Sequence, residues 1–355
     1  MASSEFSKQT LRIIDASLNR LGEGLRFLED LARLQLDDTP LTQQLKTMRH
    51  RLLKSDMAFN QQLLQARNST SDVGIDMEVP GEEKQRELPT MLVANARRAQ
   101  ESLRTLEEIS KFPGASPELD PEKFKQARFK LYTIEQNLLS RLLRRDKTRL
   151  ITGLYTIIDT RALKGRTHLE LASHVIGGGA KIIQLRDKLL SKRELLIAAQ
   201  QLRSLCTEHS VLFIINDYLD IALAADADGL HLGQNDLPIK VARRLLPIDK
   251  ILGSSVTTVD QATTAEAEGA DYIAVGSIYP TTHKETATVV GLERLRQVRQ
   301  ITSLPLVAIG GINKDNAAEV MAAGANSVAV ISAVLEANAP EEAARQIIDN
   351  LKAPM

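Results

Sequence analysis

Apolar residues recur every three or four positions from about residue 8 to residue 146, and no stretch there has the pattern of a convincing strand. This spacing gives each predicted helix one apolar face. A further amphipathic stretch covers about 41–66, and a final helix covers about 121–146. The pattern predicts an all-α domain over residues 1–146. Its clearest apolar seam is Ile14, Leu18, Leu21, Leu25, Leu28 and Ala32.

This helical region contains an internal repeat. Residues 16–33 align without gaps with residues 94–111 and share Ala, Arg, Glu, Leu, Arg, Leu and Glu in register. The repeat indicates a duplicated helical unit within a bundle. Gly22 and Gly24 lie inside the first copy, where each costs about 1 kcal/mol relative to Ala. Glycine at these positions implies close approach by either another helix or a ligand.

After residue 150 the pattern changes to short apolar runs that alternate with helical segments. Near-continuous apolar runs are typical of strands with both faces buried. Eight such units in about 200 residues predict an α/β fold, a (β/α)8 TIM barrel over residues 147–355. A doubly wound sheet is the alternative, but it rarely has eight evenly spaced units. The predicted strands are 153–159, 181–187, 211–217, 228–233, 250–256, 271–278, 305–312 and 327–334.

The amino-acid composition of the chain argues against several classes of function. Lys and Arg total 45, and Asp and Glu also total 45, so net charge gives no reason to expect nucleic acid or a membrane as partner. The single cysteine, Cys206, cannot form an internal disulfide, and no Cys/His cluster indicates zinc. No leader pattern and no run of about 18 apolar residues is present. We expect a cytoplasmic protein with small-molecule substrates, either a monomer or a homo-oligomer.

Polar residues occur where the predicted strands end, and active sites of such barrels lie at those ends. Core packing does not require polar residues at so many consecutive strand ends. In chain order from the second strand, the candidates are Gln184, Arg186 and Lys188; Asn216 and Asp217; His231, Gln234 and Asp236; Ser254 and Ser255; Thr281, His283 and Lys284; Gly310 and Gly311; and Ile331 and Ser332.

Two of these candidates, Asp217 and Asp236, would repel each other across adjacent strand ends unless a cation lay between them. Mg²⁺ suits such a pair, because it takes one or two carboxylates and fills its other positions with water and phosphate oxygens. Arg186, Lys188 and Lys284 are suited to hold the same anion. The charges therefore predict a site for a magnesium diphosphate.

Three of these charged candidates also have a structural explanation. Arg186 and Lys188 could pair with Asp187 or with a neighbouring loop. Asp217 could cap the helix that begins near Tyr218, which is a common position for Asp.

Two further candidates likewise have alternatives. His231, between two leucines, could be a satisfied core histidine. Gly310 and Gly311 indicate a second anion site, because backbone N–H groups after the last two strands bind phosphate in many barrels. They could equally form a tight turn.

The residues at these strand ends resemble the thiamine-phosphate synthase family. The motifs in family order between residues 150 and 352 are QLRDK, ND, DGLHLGQND, GSSV, YPTTHK, AIGGI and VIS. In that family, Mg²⁺-bound 4-amino-2-methyl-5-hydroxymethylpyrimidine diphosphate loses pyrophosphate to give a pyrimidine-methyl cation. The nitrogen of a thiazole phosphate captures this cation, and the product is thiamine phosphate.

The resemblance implies a role for each matching residue. It implies pyrimidine contacts by Gln184 and His231, diphosphate contacts by Arg186, Lys188, Asn216, Ser255 and Lys284, Mg²⁺ binding by Asp217 and Asp236, and thiazole phosphate contacts by Thr281, Gly311, Ile331 and Ser332. The catalytic cations are then Arg186, Lys188 and Lys284. The sequence departs from the family at His283, where Thr commonly precedes the lysine, although histidine could still donate to phosphate.

Two other functions remain for the barrel. The related thiazole tautomerase shares the fold but should not need a full set of diphosphate and metal residues. A non-catalytic phosphate-binding barrel belongs to a different class.

The helical domain resembles the ThiD2-type hydroxymethylpyrimidine phosphate kinase module that is found fused to these synthases. The resemblance rests on RIIDASLNRLGEGLRFLEDLAR, DVG at 72–74 and RRAQESLRTLEE. It implies that this domain uses ATP to make the diphosphate that the barrel consumes. No Walker-type loop is present, and the charges from Arg20 to Asp30 could form only a solvated ladder. An oligomerisation or docking module is the alternative.

Overall fold

The computed structural model describes residues 6–68, 87–112, 119–281 and 288–351. The chain divides into two compact units, Met1–Leu143 and Arg144–Met355. No helix within the described ranges has both the length and the apolar character needed to cross a membrane.

The first unit is helical. Its helices are α1 (Lys8–Asp30), extended by a π-helical turn over Leu31–Gln35, α2 (Thr39–Leu53), α3 (Met57–Ala66), α4 (Leu88–Ile109) and most of α5 (Pro121–Arg149). The amphipathic stretch predicted over about 41–66 contains two helices, α2 and α3. The break has a local cause, because the Asp56 carboxylate accepts a hydrogen bond from the backbone N–H of Phe59 at 2.6 Å and starts α3.

The glycines of α1 pack against other helices. A Cβ on Gly24 would lie 2.9 Å from the carbonyl oxygen of Asn95 and 3.2 Å from the Cβ of Ala99, both on α4. A Cβ on Gly22 would lie 3.0 Å from the Leu53 side chain on α2. Close helix approach therefore explains both glycines, and neither indicates a ligand.

Glu29 and Glu107 show the duplication in three dimensions, because they occupy equivalent positions of the two copies and are 4% and 3% exposed. The carboxylate of Glu29 accepts hydrogen bonds from Arg26 at 3.5 Å and from Arg49 of α2 at 2.8 Å.

Glu107 repeats this arrangement with its own two arginines. Its carboxylate accepts hydrogen bonds from Arg104 at 3.0 Å and from Arg128 of α5 at 2.8 Å. Each repeat therefore places one buried carboxylate between an arginine of its own helix and an arginine of another helix.

The second unit is a closed barrel of eight parallel strands in sequential order. The strands are β1 (Gly153–Asp159), β2 (Ile182–Arg186), β3 (Leu212–Asn216), β4 (Gly229–Leu232), β5 (Ile251–Val256), β6 (Tyr272–Gly276), β7 (Leu306–Ile309) and β8 (Ser327–Val330). β1 pairs with both β2 and β8, which closes the barrel. The (β/α)8 prediction is confirmed, and the doubly wound alternative is wrong.

Helices surround the barrel and bury the outer face of its strands. They are α6 (His168–Gly177), α7 (Lys192–Glu208), α8 (Leu219–Ala224), α9 (Ile239–Leu245), α10 (Val259–Ala267), α11 (Gly291–Ile301), α12 (Ala317–Ala322), α13 (Ser332–Leu335) and α14 (Pro340–Leu351). Strand residues alternate between this outer layer, as Leu154 and Ile158 do, and the barrel interior, as Tyr155 and Ile157 do.

The last turns of α5 belong to the barrel unit, and the helix continues past the boundary predicted at residue 146. Arg144 donates to the carboxylate of Asp271 at 2.8 Å and to the carbonyl oxygen of Ile248 at 2.9 Å. Lys147 lies 3.6 Å from the carboxylate of Asp228. These contacts hold the chain at the point where it enters β1.

Candidate active site

A cavity of about 850 Å³ lies at the carboxyl ends of the barrel strands. Among its lining residues are Gln184, Arg186, Lys188, Asn216, Asp217, His231, Gln234, Asp236, Ser255, Thr281, Gly310, Gly311, Ile331 and Ser332. Ser254, by contrast, does not line this cavity and is 1% exposed. His283 and Lys284 lie outside the described residues. The structure thus brings most of the predicted site residues to one opening.

Two carboxylates meet in this cavity. The carboxylate of Asp217 interacts with that of Asp236, which accepts a hydrogen bond from the backbone N–H of Gly233 at 2.7 Å. Burial, and then the neighbouring Asp236, raise the pKa of Asp217 to about 6. Two acids held together in this way are suited to share a cation.

Backbone geometry, not helix capping, accounts for the position of Asp217. Its φ is +62°, in the left-handed region, and its N–H donates to the carbonyl oxygen of His231 at 2.9 Å. Helix α8 has Tyr218 as its N-cap and no side-chain capping hydrogen bond. The capping explanation for Asp217 is therefore wrong.

Arg186, which ends β2, and Lys188, two residues further on, are held by acids other than Asp187. Arg186 forms an ion pair with Asp159 at the end of β1, and the Lys188 ammonium lies 3.4 Å from the carboxylate of Asp217. Asp187 instead accepts hydrogen bonds from the backbone N–H groups of the loop that follows it, at 2.7 and 2.8 Å. The Lys188 side chain is 50% exposed, so it has room to move toward an anion.

Asp159 was missed by the sequence reasoning. It is 3% exposed, and it accepts hydrogen bonds from the guanidinium of Arg186 and from the backbone N–H of Arg161. The signal was present in the sequence, because Asp159 ends β1 as the other candidates end their strands. Its carboxylate fixes the direction of the Arg186 side chain.

A chain of buried hydrogen bonds lies beneath the charged residues. Gln184 donates to the Tyr155 hydroxyl at 2.7 Å, and this hydroxyl lies 3.1 Å from the Tyr272 hydroxyl. The Tyr272 hydroxyl lies 3.0 Å from Nδ1 of His231, and Nε2 of His231 lies 2.8 Å from the Ser255 hydroxyl.

His231 is therefore both a satisfied buried histidine and a lining residue of the cavity. Burial lowers its pKa to about 4, which keeps the ring neutral near pH 7. Tyr155 and Tyr272 were not predicted as site residues, because in sequence they look like ordinary core residues of apolar strands.

Gly310 and Gly311 are required by the packing of the loops. Their φ values are +102° and +65°. A Cβ would lie 2.0 Å from the hydroxyl oxygen of Ser277 at Gly310, and 2.5 Å from the carbonyl oxygen of Pro280 at Gly311. The tight-turn explanation is correct for the backbone. Both glycines also line the cavity, beside Ser332 at the start of the short helix α13.

Fold and cavity together define a (β/α)8 barrel with two clustered carboxylates and facing cations at its carboxyl-end opening. The family profile described as thiamine monophosphate synthase matches residues 154–334, and the profile described as the ThiD2 family matches residues 12–137. The chain belongs to the thiamine-phosphate synthase family, and the resemblance seen in the sequence of each half is confirmed. It is an enzyme of thiamine biosynthesis.

Several known proteins share this similarity. The thiamine-phosphate synthase of Synechocystis sp. is 38% identical over 96% of this chain and 96% of its own length. That of Methanospirillum hungatei is 52% identical over 52% of this chain and 89% of its own. The structure of the thiamine phosphate pyrophosphorylase from Pyrococcus furiosus, 42% identical, covers 57% of this chain and 97% of its own, with a TM-score of 0.54.

Proposed function

We propose that the barrel condenses 4-amino-2-methyl-5-hydroxymethylpyrimidine diphosphate with a thiazole phosphate, giving thiamine phosphate and pyrophosphate. The observation that carries this proposal is the meeting of Asp217 and Asp236 in a cavity that also receives Arg186 and Lys188. Acids forced together beside cations fit a metal–diphosphate complex better than they fit a site for a single phosphate.

The residues present fit Mg²⁺. No three His, Cys, Asp or Glu side chains cluster for a metal within the ranges that the structure describes. Mg²⁺ does not need such a cage, because one or two carboxylates suffice when water and substrate phosphate complete its shell. Asp217 and Asp236 would hold it. When bound, Mg²⁺ supplies positive charge that stabilises the departing pyrophosphate.

The side chains around the diphosphate favour a dissociative reaction. The bond between the methylene carbon and the diphosphate oxygen breaks, and its electron pair leaves with pyrophosphate. Arg186 and Lys188 neutralise the charge that develops on the leaving group. The thiazole nitrogen then donates its lone pair to the methylene carbon and forms the new C–N bond. No proton has to be removed in these two steps.

The loops after β7 and β8 are suited to the phosphate of the thiazole. Gly311, Ile331 and Ser332 line the same cavity, and many barrels bind phosphate at this position with the start of a short extra helix. Binding here would hold the thiazole beside the methylene cation. Such positioning is the main contribution the protein can make to the capture step.

The test is a condensation assay on the purified full-length chain with both substrates and Mg²⁺. We expect thiamine phosphate and pyrophosphate in equal amounts. A thiazole tautomerase would isomerise its substrate without consuming the diphosphate, and a non-catalytic binding barrel would turn over neither; either result would overturn the proposal.

For the helical unit, we propose a kinase that phosphorylates hydroxymethylpyrimidine phosphate with ATP. Support comes from the ThiD2 family match over residues 12–137. Supplying the pyrimidine monophosphate, ATP, Mg²⁺ and thiazole phosphate should then also yield thiamine phosphate. If only the diphosphate is accepted, and removal of the helical residues changes the oligomeric state alone, the unit is a scaffold.

A further inference from the structure

Five polar side chains form one hydrogen-bonded chain across the barrel interior. In order they are Gln184 on β2, Tyr155 on β1, Tyr272 on β6, His231 on β4 and Ser255 on β5, with successive distances of 2.7, 3.1, 3.0 and 2.8 Å. β2 and β5 are three places apart in an eight-stranded barrel. The hydrogen-bonded chain therefore joins well-separated parts of the cavity lining.

The strand backbone makes room for the centre of this chain. A Cβ on Gly253 of β5 would lie 2.1 Å from Cζ of Tyr272 and 2.5 Å from Nδ1 of His231. The two rings stack at a centroid distance of 5.5 Å and an angle of 30°. A glycine inside a strand weakens it, so close approach by another group usually explains one. Here the approaching group is the Tyr272–His231 pair.

The number of protons on its members requires that all hydrogen bonds along this side-chain network be donated in the same direction. Burial raises the pKa of both tyrosines, so each phenol keeps its one proton. The buried ring of His231 lies between two neutral hydroxyl groups, so it is neutral and carries one N–H. Each middle member can therefore donate only one hydrogen bond, and it has two neighbours. All bonds along the chain are satisfied only when each member accepts from one side and donates to the other.

Gln184 determines the direction in which these hydrogen bonds are donated. Its amide nitrogen donates to Tyr155, so the Tyr155 hydroxyl donates to Tyr272 and the Tyr272 hydroxyl donates to Nδ1 of His231. The ring proton of His231 is then on Nε2 and is donated to the Ser255 oxygen. The hydroxyl proton of Ser255 has no place within the chain and is left to donate into the cavity that Ser255 lines.

We propose that Tyr155 and Tyr272 are positioning residues that hold His231 in its Nε2–H tautomer and reserve the Ser255 hydroxyl as a donor to an anionic group of the substrate. That this group is the departing diphosphate rests on the proposed function. The same geometry turns the carbonyl oxygen of Gln184 away from Tyr155. A substrate ring that donates a hydrogen bond to this oxygen preserves the direction of the hydrogen-bonded chain. Recognition of the ring by Gln184 is thereby linked to the Ser255 hydroxyl, which donates to the leaving group.

The tautomer can be observed without any substrate. We would record ¹⁵N spectra of the full-length protein labelled at histidine, near neutral pH, and assign His231 with the variant His231→Asn. The wild-type protein should show Nε2 protonated and Nδ1 unprotonated. Protonation of Nδ1 instead, or an even mixture of both tautomers, would overturn the proposal.

Two matched variants each remove one phenol hydroxyl. Tyr272→Phe deprives Nδ1 of its donor and should convert the single tautomer into a mixture. Tyr155→Phe removes the donor that directs the Tyr272 hydroxyl toward Nδ1 and should therefore also populate the second tautomer. A single Nε2–H tautomer retained in either variant would contradict a directed chain, whereas a purely structural role would affect only their stability.

Kinetics then test the role of Ser255. Tyr272→Phe should lower kcat for condensation by about tenfold or more, with KM for the thiazole phosphate unchanged, since a lost donor to a leaving group acts on the transition state. An unchanged kcat with an altered tautomer would contradict that role. If the wild-type protein shows the predicted tautomer but no condensation, the proposed function fails and the directed chain stands.

Discussion

Charged side chains are organised differently in the two units. In the helical unit, Glu107 is buried and accepts hydrogen bonds from Arg104, Lys111 and Arg128, so its charge is balanced where it lies. In the barrel opening, Asp217 faces another acid, Asp236. The first arrangement is complete as it stands. In the second, the half-exposed Lys188 lies 3.4 Å from Asp217, and two adjacent acids beside one such lysine are suited to bind a further cation.

This difference distinguishes charged residues that stabilise the fold from charged residues that are candidates for function. The pKa of Glu107 is lowered, above all by the hydrogen bond from Arg128, whereas the pKa of Asp217 is raised by burial and by Asp236. Strongly perturbed groups that lie in a cleft are the usual candidates for function.

The largest expected effect is on catalysis. Asp217→Asn should lower kcat/KM for condensation about 100- to 1000-fold and weaken its dependence on Mg²⁺, because one of two metal carboxylates is lost. Asparagine tolerates the left-handed φ of +62°, so the backbone should persist. Steady-state kinetics at several Mg²⁺ concentrations measure the effect.

Asp220→Asn is the matched control for this prediction. Asp220 lies three residues further along, its side chain is 66% exposed, and it pairs with Lys192 at 3.0 Å. This variant should retain activity within about twofold, as exposed ion pairs contribute little. Similar losses in both variants would contradict the metal assignment.

The second expected effect concerns how the free energy of unfolding of the metal-free protein depends on pH. The pKa of Asp217 is raised to about 6 in the folded state, so its protonation stabilises the fold below about pH 4, and this stabilisation is lost as pH rises through about 6. The change amounts to at most about 3 kcal/mol. Denaturant unfolding with a chelator at several pH values should show it in the wild type and not in Asp217→Asn. An equal slope in both would contradict it.

The pH dependence of stability that Glu107 contributes has the opposite sign to that of Asp217. Its pKa is lowered in the folded state, so its contribution is present above the pKa of the unfolded chain, near 4.3, and is lost as pH falls further. Glu107→Gln should destabilise the helical unit by about 2 kcal/mol, because it leaves cations without their buried partner, and should leave condensation unchanged.

The neighbouring Glu108 provides the control for Glu107. Its side chain is 48% exposed, and it pairs with Arg104 and Lys111. Glu108→Gln should change stability by about 0.5 kcal/mol or less. Equal destabilisation by the two substitutions, measured by thermal unfolding, would show that burial of Glu107 does not matter.

The smallest effect concerns the two glycines of α1. Gly24→Ala places a methyl group against backbone and Cβ atoms of α4 and should cost about 1–2 kcal/mol. Gly22→Ala meets only the end of the Leu53 side chain, which can move, so the gain in helix propensity of about 1 kcal/mol should offset the contact. Equal costs in denaturant unfolding would contradict the packing explanation.

The sequence predicted the barrel well, because each strand is a separate apolar run with polar residues at its end. All eight strands lie within the runs expected. The helical unit was harder to delimit. Apolar spacing continues across residues 54–56, so the break between α2 and α3 depends on the local cap by Asp56, which periodicity does not detect.

The candidate site was predictable in its residue types but not in its contacts. That Arg186 pairs with Asp159 and not with Asp187 depends on the register between β1 and β2. The hydrogen-bonded tyrosines were hidden because Tyr155 and Tyr272 fit the apolar pattern of their strands. Gly253, inside a strand, was the one sequence signal that something approached closely there.

The most direct measurement of the central claim is calorimetric titration of pyrophosphate into the full-length protein with and without Mg²⁺, for the wild type and for Asp217→Asn. If the paired acids hold a metal that joins them to a diphosphate, Mg²⁺ should tighten pyrophosphate binding at least about tenfold in the wild type and far less in the variant. Equal pyrophosphate affinity with and without Mg²⁺ in the wild type would contradict the account.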